Sequence, residues 1–243
     1  MGTQGSFGYK IGRKIRLMHV QYDADLLWQI LVREIYVLMK HYGSIESLQE
    51  AFTNLLEAKN KPKAGAIEKC KVFTDLGVSE RNTSDWYCLT RNCQHSFINI
   101  LESGYFLNNG QNSGLVLILD FNTNSVEFYG VDYEKKHTKY EKATIDEIME
   151  FEDMPSKSYT EIVTEMRERF NKYDNNLNKI DLEIIQINNI IKKARELGGD
   201  ENVISKAKKL LDDMEWEKRK LNMNYRFFYH RLNALNLIDH EEK

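Results

Sequence analysis

The sequence predicts an α+β fold in which a small, mostly antiparallel sheet with helices packed on it is followed by a long C-terminal antiparallel helical hairpin of coiled-coil type. Three observations carry this. Val163, Met166, Phe170, Tyr173, Leu177, Ile180, Ile184, Ile187, Ile191 and Ala194 recur at alternating spacings of three and four, the heptad seam of a coiled coil. The stretches 6–22 and 115–129 alternate with a period of two around short turns, which is the pattern of β-hairpins. Between them the apolar period is 3.6, punctuated by Ser, Asp and Gly where helices start and stop. The chain therefore divides into an α+β domain over 1–154 and a helical arm over 155–243.

Glycines at 2, 5 and 8 open the chain, and they permit close backbone packing rather than mark a repeat. A strand pair follows over 6–22, with Gly12 and Arg13 as its turn. Asp23 or Asp25 starts a helix through Leu26, Leu27, Ile30, Ile35, Leu38 and Met39 that Gly43 ends; with large apolar residues on both faces it belongs at the centre. Ser44 caps a second helix from Ile45 to about Ala58, burying Leu48, Phe52, Leu55 and Leu56. A lysine-rich loop and a short helix from Ala66 to Leu76 come next. Ser84 and Asp85 then open one helix bearing Trp86, Leu89, Cys93, Phe97, Ile100 and Leu101, stopped by Gly104.

The strand Leu115–Phe121 is almost wholly apolar and should be covered on both faces. Its partner is Ser125–Tyr129. Thr144 with Glu147 forms a capping box for a short helix to Phe151, and Met154, Pro155 and Ser156 mark the passage into the arm. In the arm, Gly198 suits the left-handed end of the first helix and Asp200 suits the cap of the second. The second seam reads Val203, Ala207, Leu210, Met214, Leu221, Tyr225, Phe228, Leu232, Leu235 and Ile238, with Glu217 as a flaw; Asn188, Asn189 and Asn222 lie beside the seam, as solvated flank or as a polar layer that fixes register or partner choice. Each arm helix spans roughly 50–55 Å at 1.5 Å per residue.

With 243 residues and 42% hydrophobic content the chain can bury a sizeable core. Three cysteines fit a reducing compartment rather than a disulfide framework, and no run approaches the ~18 apolar residues of a membrane span. The expected location is the cytoplasm, that of a host if the chain is viral. A formal charge of −3 gives no general attraction to nucleic acid or to acidic membranes. No phosphate-binding loop, dinucleotide fingerprint or His-Glu-x-x-His is present, so no cofactor is expected.

The start Met1-Gly2-Thr3-Gln4-Gly5, the strand ending Val20-Gln21-Tyr22-Asp23, and the hairpin with Asp120 and Val126–Tyr129 resemble an uncharacterised family of phage and bacterial proteins. Those proteins begin Met-Gly-Thr-Arg and carry a Tyr-Asp-Gly-Tyr-Pro type turn. Here Gln4 stands in place of the Arg, and Ala24-Asp25-Leu26 in place of the Gly-Tyr-Pro. The resemblance implies a phage or prophage origin.

Several constellations could carry chemistry. Thr3 lies near, but not at, the position of an N-terminal nucleophile, and Gly2 with Ser6 fits a myristoylation pattern. Cys88, Cys93 and His95, with Cys70 upstream, resemble metal or nucleophile residues, yet the spacing of Cys88, Cys93 and His95 inside one helix favours packed thiols. Asp120, Glu127 and Asp132 surround one hairpin and could bind a metal, though turn and surface roles suit them better. Lys59, Lys61, Lys63, Lys69 and Lys71 lack interleaved aromatics and read as a solvated loop.

The cluster that points furthest is Trp216, Arg219, Tyr225, Arg226, Phe228, Tyr229 and Arg231: protein contact surfaces enrich aromatics and Arg, while part of the cluster must pack on the first arm helix or the core, since Phe227, Phe228 and Tyr229 are consecutive. The functional expectation is an accessory protein of phage type that binds another protein, a host or defence component or its own copies, through its arm and body. Such a role would serve host takeover or counter-defence. A hydrolase using its N-terminus or a Cys-His pair, and a nucleic-acid-binding protein, are the alternatives.

Overall fold

The computed structural model describes residues 3–74, 85–111, 114–131, 137–152 and 154–232; the side chains of 131, 137–140, 173 and 222–232 lie outside the description. Strands β1 (Gly5–Ile11) and β2 (Lys14–Val20) form the first hairpin, turned at Gly12 with φ of 58°. The chain then leaves the sheet for helices α1 (Leu27–Tyr42), α2 (Ile45–Thr53), α3 (Ala64–Cys70), α4 (Trp86–Leu89) and α5 (Phe97–Ser103). It returns as β5 (Gly114–Asp120), β6 (Ser125–Val131) and β7 (His137–Thr144), giving a five-stranded sheet in the order β2-β1-β5-β6-β7. Within this sheet, among the described residues, only the β1–β5 pair is parallel, because the whole helical layer is the crossover between them. A two-residue strand β3 (Leu56–Glu57) pairs with β4 (Tyr105–Phe106) beside this layer.

The helices cover one face of the sheet. Phe7, Tyr9, Met18, Val20, Leu117, Leu119, Val126 and Phe128 project into a core shared with Leu27, Leu31, Ile35, Leu38, Phe52 and Phe97. Tyr9, Phe52, Phe97 and Phe106 pack ring against ring at 4.9–5.3 Å, in tilted or edge-on geometries. On the opposite face Leu17, Val116 and Ile118 make a smaller cluster with Tyr129, so β5 is covered on both faces as its composition required. Gly5 and Gly8 are the close-approach positions anticipated for them. A Cβ on Gly5 would stand 2.4 Å from the Leu115 carbonyl oxygen, and one on Gly8 only 1.8 Å from that of Arg16.

The central helix is α1, entered through one 3-10 turn at Ala24–Leu26 and closed by Gly43 with φ of 78°. Asp23 adopts the left-handed conformation and its side chain caps no amide of the turn, so the turn rather than an aspartate cap starts this helix. Ser44 caps α2 as anticipated, but α2 stops at Thr53. Leu55 is buried, whereas Leu56, placed by periodicity on the buried face, is exposed in β3, where its N–H donates to the Gly104 carbonyl. The short helix expected over 66–76 runs from Ala64 to Cys70 and gives way to a 3-10 turn through Phe73; its expected end at Leu76, and Ser84, lie outside the described residues.

The single helix expected from Ser84 to Gly104 is three pieces. Asp85 caps α4, a 3-10 turn spans Arg91–Cys93, His95 adopts a left-handed φ of 72°, and Ser96 caps α5. A carboxylate from α1 causes the break, as set out below. After β7, α6 (Ile145–Met149) begins with the anticipated capping box of Thr144 and Glu147.

Helix α7 (Tyr159–Glu196) begins with a second capping box, Ser158 with Glu161, and its first turns lie on the body: Tyr159, Ile162, Met166 and Phe170 belong to the main core. Beyond them α7 pairs with α8 (Glu201–Leu232). Gly198 takes the left-handed conformation, and Asp200 accepts from the Asn202 amide, so the turn has the chemistry its sequence announced. The seam contains Ile187, Ile191 and Ile204, with Ala194, Ala207, Leu211 and Met214 packed against them. Asn188 and Asn189 are exposed flank.

The register of α8 departs from the expected one. Val203 is 55% exposed and Ile204 3%, while Leu210 is exposed and Leu211 faces the seam. Glu217 also points to solvent, and the seam level below Met214 is held by Lys218, which donates to Asp181 at 2.7 Å. Both Val203-Ile204 and Leu210-Leu211 are apolar doublets, so spacing alone could not choose between neighbours. The Gly198-Gly199-Asp200 turn fixes where α8 starts and hence its rotation about its axis. Ile204→Lys is expected to unzip the arm tip at a cost of roughly 2–4 kcal/mol, while Val203→Lys leaves it intact. Amide hydrogen exchange over 187–211 reads the difference, and equal protection in both variants would contradict this register.

Candidate functional site

Two regions concentrate chemistry, one inside the body and one along the arm. In the body, Glu34 sits on the core face of α1 and is fully buried. Its Oε1 lies 2.6 Å from Ser96 Oγ, and its Oε2 accepts from the amides of Phe97 at 2.5 Å and Ile98 at 3.3 Å. These amides are the unpaired donors of the first turn of α5. A helix running unbroken through 96 would have consumed them internally, so satisfying Glu34 requires the interruption at 94–96. Burial pushes the Glu34 carboxyl up to about 8, against the lowering effect of Ser96 and the two amides.

Around this carboxyl the buried segment 88–100 is tied down by side chains. His95 Nε2 donates to the Tyr22 carbonyl at 2.6 Å, Gln94 Oε1 accepts from the Gln21 amide, and Asn99 Nδ2 donates to the Asn92 carbonyl. Thr74 Oγ1 donates to the Cys88 carbonyl at 2.6 Å, and Asn92 Nδ2 to the Thr74 carbonyl. Burial lowers the pKa of His95, which keeps the ring neutral.

Cys70, Cys88 and Cys93 are all buried free thiols. Burial raises Cys70 to about 11 and drives Cys93 well above its ordinary value, the reverse of what activates a nucleophile. Cys88 lies on α4, Cys93 closes the 3-10 turn, and His95, in the left-handed conformation, is held by the Tyr22 carbonyl. Thr3 is exposed, with its carbonyl accepting from the Ala24 amide. Gly2 and Asp132 lie outside the described residues.

Most of the other carboxylates and lysines singled out by sequence are engaged locally, while Lys61 and Lys63 are exposed. Asp120 pairs with Lys10 at 2.7 Å and Glu127 with Lys142 at 3.1 Å. Lys59 lies 3.5 Å from Glu57, Lys71 lies 3.2 Å from Glu68, and Lys69 stands over the Tyr105 ring. Among the described residues no group of three His, Cys, Asp or Glu is placed to hold a metal ion. No described helix is long and apolar enough to cross a membrane.

Where body and arm join, a cleft of about 490 Å³ is lined by Tyr36, Lys40, His41, Lys157, Tyr159 and Thr160, among others. His41 stacks on Tyr159 at 4.1 Å, and the Tyr159 hydroxyl donates to Glu102 Oε1 at 2.6 Å. Arg167 donates to the other oxygen of Glu102 at 2.8 Å, so one carboxylate of α5 clamps the base of α7 at two points. Burial, and then the neighbouring Glu102, raises the pKa of the Tyr159 phenol, which therefore stays protonated and donating.

On the arm, Trp216 is exposed on α8 with Lys220 over its ring at 5.8 Å, and Arg219 is exposed and lies 3.6 Å from Glu215. The backbone of Tyr225, Arg226, Phe228, Tyr229 and Arg231 continues α8, but their side chains lie outside the description. The described arm adds apolar residues that the aromatic-Arg pattern did not pick out. Leu182, Ile185 and Ile190 on α7, Leu197 at the turn, and Val203 and Leu210 on α8 are each more than half exposed. Their signal in the sequence was an apolar content larger than one seam can absorb. No family model matches the chain, and no curated protein or solved structure matches it.

Proposed function

We propose that this protein acts by binding another protein through its helical arm, as an accessory protein of phage type whose partner is a host or defence component or a further copy of the chain. The observation that carries the reading is the distribution of exposed large apolar side chains. Seven of the ten among the described residues (Leu182, Ile185, Ile190, Leu197, Val203, Leu210 and Trp216) lie on the hairpin, and three (Ile15, Leu56 and Phe151) lie on the body. A hairpin whose seam is already filled by Ile187, Ile191 and Ile204 does not need them for its own pairing. Concentrated apolar exposure on one element is the mark of a contact surface. The phage-type role draws its support from the likeness of the first 25 residues to the Met-Gly-Thr-Arg proteins.

The body supplies a rigid base for the arm. The Tyr159–Glu102–Arg167 clamp and the buried Ile162, Met166 and Phe170 hold the root of α7, so a partner bound along the arm is held at a set distance from the sheet. A photoreactive residue placed at Leu182, Ile190 or Trp216 in cells that naturally produce the chain is expected to give a protein adduct. Leu182→Glu with Ile185→Glu is expected to weaken it at least about tenfold while thermal stability changes by under ~0.5 kcal/mol, as for surface substitutions. Absence of adduct at all three positions would overturn the proposal.

A further inference from the structure

The outer edge of β2 is closed by side chains rather than by another strand. Leu17 and His19 turn their amides away from β1, and these donate to Asn108 Oδ1 at 3.1 Å and to Asn109 Oδ1 at 3.0 Å. Just past the strand the Gln21 amide donates to Gln94 Oε1 at 3.3 Å. The Leu17 carbonyl accepts from the Gly110 amide at 2.8 Å. An open edge is a template for pairing with another chain, so the segment 108–110 acts as a clasp that shuts it.

The clasp is built on a chemically labile dipeptide. Asn109-Gly110 is the only Asn-Gly pair in the sequence, and Asn109 is exposed. In such a pair the glycine backbone nitrogen attacks the asparagine Cγ, the side-chain amide leaves as ammonia, and a succinimide ring closes. Water then opens the ring at either carbonyl to give aspartate or isoaspartate, so water is the only co-reactant. Glycine favours the attack because it has no Cβ to hinder the approach. Here the glycine cannot be exchanged for a slower neighbour. A Cβ on Gly110 would stand 2.8 Å from the Leu17 carbonyl carbon and 2.9 Å from its oxygen. The fold thus demands the residue that makes Asn109 reactive.

Two hydrogen bonds of the closed clasp hold the reaction off. The Gly110 N–H is committed to the Leu17 carbonyl, and the Asn109 carboxamide is fixed on the His19 amide, so the nitrogen is not free to turn onto Cγ. Ring closure has to wait until the segment leaves β2. We infer that Asn109 is a modification site of this protein, a deamidation site gated by release of the 108–110 clasp from the edge of β2.

The product decides whether the clasp recloses. Aspartate keeps the main chain and a side-chain oxygen to accept from His19. In isoaspartate the former Cγ carbonyl and the Gly110 N–H belong to one peptide group, and in a trans peptide these two point in opposite directions. They cannot both face β2, so the isoaspartyl form leaves the edge open.

The test uses the full chain, incubated in mildly alkaline buffer either folded or in denaturing urea, with peptide mapping that separates aspartyl from isoaspartyl products. Conversion at Asn109 is expected to be at least about tenfold slower in the folded protein, since the clasp must open first. His19→Pro removes the donor to Asn109 at an outward-facing edge position where proline is tolerated, and is expected to speed conversion in the folded protein at least about threefold. Asn108→Ala, which frees the neighbouring Leu17 amide, is expected to act in the same direction should the proline variant fail to fold. Asn109→Gln is expected to abolish conversion at this position, because its longer side chain closes a larger ring far more slowly. The purified isoaspartyl form is expected to exchange its amides over 17–19 faster than the unmodified protein. Equal rates in folded and unfolded chains, an unfolded chain that spares Asn109, a folded clasp variant that reacts no faster, or an isoaspartyl form with unchanged exchange over 17–19 would each overturn the inference.

Discussion

Glu34→Gln is expected to remove most of the pH dependence of stability between pH 5 and 8. The Glu34 carboxyl has an ordinary value of 4.5 and is raised by burial to about 8 in the folded protein. A folded state that holds a proton more tightly than the unfolded chain is stabilised wherever that proton is bound. The contribution is therefore complete below about 4.5 and is lost as pH rises through about 8. The expected slope for the wild type is a loss of roughly 1 kcal/mol per pH unit across that window. Glutamine reproduces the protonated acid: its Oε1 can accept from the Phe97 and Ile98 amides, and its Nε2 can donate to Ser96 Oγ, which itself accepts from the Asn99 amide.

The Gln variant should therefore fold, match the wild type at pH 5, and exceed it at pH 8. Glu34→Leu should instead lose about 3 kcal/mol at pH 5, because it leaves those donors buried without an acceptor. Urea denaturation at pH 5, 6, 7 and 8 measures all three. A Gln variant with the wild-type slope would place the titrating group elsewhere.

Gly8→Ala is expected to abolish the fold or cost several kcal/mol. The new Cβ would stand 1.8 Å from the Arg16 carbonyl oxygen, 2.9 Å from its carbonyl carbon and 3.0 Å from Leu17 Cα. All three are backbone atoms of β2, so no side chain can swing aside, and β1 cannot retreat because β5 holds its other edge. Gly12→Ala is the control: its φ of 58° strains an alanine, but no atom lies within 4 Å of the new Cβ, and the cost should be about 1 kcal/mol. Thermal denaturation and soluble yield distinguish the two. A Gly8→Ala protein as stable as Gly12→Ala would mean that β1 and β2 do not pair in the register described.

What could be read in advance follows the range of the forces involved. The Gly12 turn, the Gly43 stop, the Ser44 cap, the capping box of Thr144 and Glu147, and the Gly198–Asp200 turn were all legible, since each is settled by residues a few positions apart. The β7 strand was missed: His137–Thr144 carries charge and Thr rather than clean alternation, and it becomes a strand because β6 offers it an edge. In the candidate site, Trp216 and Arg219 were found by residue type. Ile190 and Leu210 were not, because their exposure depends on which of two neighbouring apolar residues the seam takes up.

Glu34 is the sharpest case. It occupies an apolar stripe with Ile30, Leu31, Ile35 and Leu38, so its burial was foreseeable, but nothing near it in the chain shows that Ser96, Phe97 and Ile98 would be its partners. By itself the sequence determined the two β-hairpins, the helix ends marked by caps and glycines, and the existence of a two-helix arm, because propensity, capping and periodicity act within a few residues. Only the tertiary structure decided the parallel return of β5 beside β1, the break before α5, and the rotation of α8, because each depends on a contact between segments far apart in the chain.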